Sequence, residues 1–239
     1  MTARTLVLAA LAGSANVLGA LAVTSRPKWS TRSLRTIVAL SAGFMVAVAL
    51  TGLLPEAMDA LGADAAAYTA LAGFLLVHVT QHALGQHFHF GEETHAVTPA
   101  VGVSALAGLM LHTLVDGVAI ASGFQVSDAL GVLVFVAIFL HKLPEGLAIS
   151  SLFLAAGVGR GRALLAASSL GVATVVGALA TDVFVGVGPY GLALSAGVAL
   201  YVAASNLVPE FQQVPGWRYT MALLGGCALY FGAHALVGH

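Results

Sequence analysis

The chain has 239 residues, of which 59% are hydrophobic and 8% charged, with a formal net charge of −1 and a mean hydropathy of +0.96. A soluble domain carries about 25% charged residues, roughly three times this share, so an ordinary soluble core is excluded. The net charge says nothing about nucleic acid, no basic stripe suggests such a partner, and the single Cys227 excludes an internal disulfide.

Runs of about 20 apolar residues recur along the whole length and predict an all-α polytopic membrane protein, while the short alternating strands of a membrane barrel are missing. In chain order the predicted spans are 5–24, 36–58, 65–85, 99–123, 128–156, 162–185, 190–211 and 218–237. Turn-forming residues punctuate the breaks, among them Pro27, Gly62, Pro99, Gly159, Gly161, Pro189 and Pro215. The longest break, Gly85 to Thr98, is loop-sized, so residues 1–239 are expected to form a single transmembrane domain.

The first span contains Ala20-Leu21-Ala22, which has the small residues of a signal-peptide cleavage site. Cleavage there would place the following basic cluster on the wrong side of the membrane, so the span is read as a retained helix. Basic residues fall in odd-numbered connections: Arg26, Lys28, Arg32 and Arg35 in the first, Arg160 and Arg162 in the fifth, Arg218 after the seventh span. By the positive-inside rule both termini lie outside, in a plasma (inner) membrane, with Arg4 the sole counter-signal.

The second span ends TGLLPEA and the seventh ends SNLVPEF. Their Pro-Glu pairs fall at opposite membrane faces, as in the inverted repeats of secondary transporters, although proline and glutamate also end helices commonly. Glu56 and Asp59 would then line an outer mouth and Glu210 an inner one, with Asn206 a turn deeper. Met45 of the second span offers a soft ligand, but an apolar core role fits it better. His78 and His82 share a face near the end of the third span, and His87 and His89 follow in the loop. A metal-receiving cluster and plain interfacial histidines both fit that run.

The fourth and fifth spans carry LHTLVDGVAI and FLHKLPEGLAIS. Each places a histidine and a carboxylate four residues apart on one helix face: His112 with Asp116, and His141 with Glu145. Both histidines lie about 14 residues into oppositely directed spans, roughly 20 Å along each helix, so the pairs can meet at one depth. A charge at the bilayer centre costs about 2.5–3.5 kcal/mol, and a divalent cation held by imidazoles and carboxylates offsets it. Pro144 removes a donor to the Leu140 carbonyl and is expected to free that acceptor for a transport cavity. The plainer alternative is an electroneutral cluster tying two helices together, with Lys142 paired to Asp116 or Glu145.

The eight-span plan, HTLVDG, HKLPEG, LLPEA, LYVAASNLVPE and the histidine-bearing third loop resemble the ZIP (Zrt-/Irt-like) family of divalent-metal transporters over the whole chain. The resemblance implies uptake of a divalent ion, zinc foremost and iron, manganese or cadmium beside it, by alternating access toward the cytoplasm. It implies His112, Asp116, His141 and Glu145 as ligands, no resident cofactor and no enzymatic activity, with a homodimer left open. It also implies that the helix group bearing the site slides against the second, third, seventh and eighth spans. Departures from the family pattern are Thr113, Val115 and Asp116 at its Asn, Pro and Glu positions, Lys142 at an acidic position, and Thr174 at a glutamate of the sixth span. They predict one metal ion per site, with the Lys142 ammonium standing where binuclear relatives hold a second. A membrane-embedded metal-dependent hydrolase is the competing class, but its H-E-x-x-H signature is missing. A cation-coupled carrier of an organic solute ranks behind both.

Overall fold

The computed structural model describes residues 3–25, 31–84, 99–183, 188–212 and 214–237. Among them are eight helices long and apolar enough to cross a membrane, and no strand. They are α1 (Ala3–Ser25), α2 (Thr31–Val48 continuing through Leu61), α3 (Ala63–Leu84), α4 (Pro99–Val126), α5 (Asp128–Ala155), α6 (Arg160–Val183), α7 (Gly188–Tyr201 continuing through Gln212) and α8 (Trp217–Val237). Large apolar side chains such as Tyr68, Leu165, Val172, Met221 and Leu236 are exposed on α3, α6 and α8, the surfaces that lipid would cover.

Two helices change pitch at matching places. In α2 a π-turn at Ala49–Leu53 lets the Leu54 N–H reach the Ala49 carbonyl, and in α7 a π-turn at Val202–Leu207 lets the Val208 N–H reach Ala203 at 2.9 Å. Each lies just before a proline, Pro55 or Pro209. Proline has no N–H to continue the four-residue ladder, and the wider turn absorbs the mismatch without ending the helix. The helices then end soon after the Pro-Glu pairs, at Leu61 and Gln212, close to the predicted 58 and 211.

Between α4 and α5 there is only Ser127, in extended conformation, whose hydroxyl accepts from the Leu130 N–H at 3.1 Å and caps α5. The fourth helix therefore runs to Val126, beyond the predicted end at 123. His112 stands 15 residues before Ser127 (127 − 112) and His141 stands 14 after it (141 − 127), so the hairpin brings both histidines to one level.

Helix crossings use small residues and sort the helices into one group of four and two pairs. A Cβ added at Gly13 would meet the backbone of Gly171, one at Gly19 that of Leu143, one at Gly146 that of Asn16, one at Gly117 that of Thr174 and one at Gly177 that of Leu114. These close approaches bind α1, α4, α5 and α6 into one body. Gly43 and Gly226 bring α2 against α8, and Gly73 and Gly197 bring α3 against α7. Exchanging α1 with α6, α2 with α7, α3 with α8 and α4 with α5 maps this contact set onto itself, which is the signature of an inverted repeat.

Hydroxyls bridge the four-helix body to each of the two pairs. Ser41 of α2 donates to the Leu140 carbonyl at 3.1 Å, and Ser195 of α7 donates to the Val115 carbonyl at 3.5 Å. Pro144 does free the Leu140 carbonyl, but α2 uses that acceptor, so it is not left to a transport cavity as expected from sequence. At the two ends, Arg4 pairs with Asp128 at 2.7 Å and the Arg218 guanidinium donates to the Thr36 hydroxyl at 3.3 Å. The start of α1 therefore shares a membrane face with the α4–α5 turn, while the starts of α2 and α8 share a face.

Candidate metal centre

The α4–α5 hairpin and the i, i+4 spacing on each helix turn His112, Asp116, His141 and Glu145 toward one another. One ligand atom from each lies within 4.8 Å of the others, with the first three buried and Glu145 partly so. No other set of three or more histidine, cysteine or acidic side chains converges in this way among the described residues. Asp116 Oδ2 is the shared atom, 3.4 Å from His112 Nε2 and 3.3 Å from His141 Nε2.

The hydrogen bonds fix the His141 tautomer. Its Nδ1 lies 3.0 Å from the Ala137 carbonyl, and a carbonyl oxygen only accepts, so Nδ1 carries the proton. Nε2 faces the Asp116 carboxylate at 3.3 Å, to which a protonated ring donates and beside which a neutral ring leaves a lone pair for a positive centre. An imidazole whose second nitrogen is anchored on a backbone carbonyl is the usual arrangement of a metal-ligating histidine. Neither ring nitrogen of His112 makes a hydrogen bond, although Nε2 stands 3.4 Å from Asp116 Oδ2, and Glu145 Oε1 is likewise without one. Buried polar atoms are ordinarily satisfied, so these groups mark a donor set without a protein partner.

Lys142 supplies the positive centre of this conformation. It is wholly buried, with Nζ 2.8 Å from Asp116 Oδ2 and 3.2 Å from Glu145 Oε2. It thus bonds both carboxylates rather than one. Thr113 turns its hydroxyl back to the Leu109 and Met110 carbonyls and does not face the acids. Thr174 bonds its own helix at Leu170, 3.3 Å away, while its backbone abuts Gly117 beside Asp116.

The remaining candidates stand apart from the cluster. Met45 is buried among Val77, Val115, Val198 and Tyr201, the apolar role favoured from sequence. Glu56 is exposed at the end of α2, Asn206 is half-buried in the α7 π-turn and Glu210 is buried beyond it. The His78 and His82 rings do lie together, tilted by 40° with centroids 4.0 Å apart, and Tyr201 is edge-on to His78 at 5.7 Å. His87 and His89 lie outside the described residues. Sequence reading missed Ser41 and Ser195, since a hydroxyl facing a distant helix leaves no local pattern.

The family model described as ZIP zinc transporter matches residues 92–234, more than half of the chain. The chain belongs to the ZIP family. No curated protein matches it individually. As a ZIP protein with eight membrane-crossing helices it is a multi-pass integral membrane transporter of divalent metal ions. The matched stretch includes the whole buried cluster and begins ahead of α4.

Proposed function

We propose that residues 1–239 act as one transmembrane domain that carries a single divalent ion, zinc foremost, on His112, Asp116, His141 and Glu145. A tetrahedral ion with bonds of about 2.0–2.1 Å has ligand–ligand edges of about 3.4 Å. The two imidazole-to-Asp116 separations of 3.4 and 3.3 Å already have that length. This match, in a cluster with idle imidazole nitrogens, is the observation that carries the reading. An all nitrogen and oxygen set suits zinc, iron or manganese, and cadmium follows as a larger congener.

Alternating access is the mode of transport. The body of α1, α4, α5 and α6 bears the site and moves against the α2–α8 and α3–α7 pairs. Support comes from the distribution of backbone-to-backbone glycine crossings, which fall within these groups, whereas the groups meet one another through apolar side chains and the single bonds of Ser41 and Ser195. The basic first and fifth connections put the starts of α2 and α6 in the cytoplasm, with both termini outside the plasma (inner) membrane and flux directed inward. Hydrolysis is disfavoured because the H-E-x-x-H signature of a zinc hydrolase is missing from the sequence.

Radiolabelled zinc, iron, manganese and cadmium uptake into proteoliposomes tests this reading for the native chain, His112→Ala and Glu145→Ala. The native protein is expected to take up zinc down its gradient, with at least about a tenfold loss of rate in each variant, each of which forfeits one of four ligands. Equal flux in all three removes the assignment.

A further inference from the structure

We propose that Lys142 is a tethered counter-cation that takes the place of the transported ion on the return step, binding the carboxylates when the site is empty and yielding one of them when metal arrives. The inference rests on the site assignment above and goes beyond it, because it gives a non-ligand residue a part in the cycle.

The geometry makes ammonium and metal compete for one atom. Asp116 Oδ2, which both imidazoles approach, is also the atom 2.8 Å from Lys142 Nζ. An ion bonded to Oδ2 and the two imidazole nitrogens repels an ammonium at that distance, so the ammonium must withdraw. It has somewhere to go: Glu145 Oε2 already holds it at 3.2 Å, and the unpaired Glu145 Oε1 remains for the ion. The flexible four-carbon stem permits this short swing without helix movement.

Formal charge explains why a carrier needs it. With two carboxylates and one ammonium the empty site carries one negative charge, and with a divalent ion added it carries one positive charge. Without the ammonium the loaded site is neutral and the empty one carries two negative charges. The desolvation cost of a buried charge rises with its square. The lysine therefore equalises the two crossings, whereas its removal favours the loaded crossing and opposes the empty one. A residue that merely tied α4 to α5 would burden both alike.

The test compares two fluxes of radiolabelled zinc in proteoliposomes. Net uptake into zinc-free vesicles requires the empty site to return, and exchange into vesicles preloaded with unlabelled zinc does not. For Lys142→Met the ratio of exchange to net uptake is expected to rise at least about tenfold over native. Zinc binding to the solubilised variant is expected at lower concentration. The double variant Lys142→Met with Glu145→Gln restores a single negative charge to the empty site, and its ratio is expected to fall back toward native although a ligand is lost. An unchanged ratio in Lys142→Met, or loss of both fluxes together with zinc binding, overturns the proposal and makes the lysine a structural tie. Undiminished exchange in His112→Ala instead removes the underlying site, so the two failures are distinguishable.

Discussion

At the scale of single residues, one oxygen carries the centre. Asp116 Oδ2 stands within 3.4 Å of both imidazoles and of the Lys142 ammonium, whereas Glu145 is paired with Lys142 alone. Breaking a buried pair by removing one partner costs about 3–5 kcal/mol. Asp116→Asn is accordingly expected to lower thermal stability in detergent by an amount in that range, and Glu145→Gln by clearly less, because Asp116 still compensates the lysine. Equal melting shifts would contradict that ranking. The ligand candidates were legible in the sequence because a histidine and an acid four apart must share a helix face. The bidentate hold of Lys142 was not. Its side chain reaches Glu145 within its own helix, and only the Ser127 hairpin brings Asp116 of the neighbouring helix within 2.8 Å of it.

At the scale of helices, packing rests on backbone contact through glycine. The adjacent pair on α8 isolates the effect. A Cβ at Gly226 would strike the Leu40 backbone of α2, while one at Gly225 would meet nothing within 4 Å. Gly226→Ala should destabilise by about 1–3 kcal/mol, the usual cost of overpacking. Gly225→Ala should be neutral or stabilising by up to about 1 kcal/mol, as alanine replaces glycine in a helix. Thermal unfolding of both variants checks the contrast, and a comparable loss in each would deny the α2–α8 contact. Ser41→Ala, which strips the Leu140 carbonyl of its donor, is expected to cost about 1 kcal/mol by the same measurement. Helix number and order were readable from hydropathy, but the π-turns were not. LLPEA and NLVPE do stand close to the ends of α2 and α7, but nothing in them announces the five-residue hydrogen bonds at Leu54 and Val208 just before the prolines.

At the scale of the whole molecule, an internal two-fold relation pairs α1 with α6, α2 with α7, α3 with α8 and α4 with α5. The Pro-Glu endings hinted at it, and the glycine crossings, π-turns and serine bridges repeat it independently. The Arg4–Asp128 pair puts the N-terminus and the α4–α5 turn on one face, so labelling at that turn reports the side of both. With Cys227→Ser as background, Asp128→Cys should react with an impermeant maleimide from outside intact cells. Arg160→Cys, in the basic fifth connection, should react only after permeabilisation. The reverse pattern inverts the orientation and with it the direction of uptake.

The central claim is that α4 and α5 jointly cage one divalent ion through two imidazoles and two carboxylates. X-ray absorption at the zinc edge of the zinc-loaded protein tests it most directly, because imidazole rings have their own scattering signature. Native protein should show two imidazole nitrogens and two oxygens at about 2.0–2.1 Å, and His112→Ala and His141→Ala one imidazole each. Two imidazoles retained in both variants, or none in the native protein, would contradict the account.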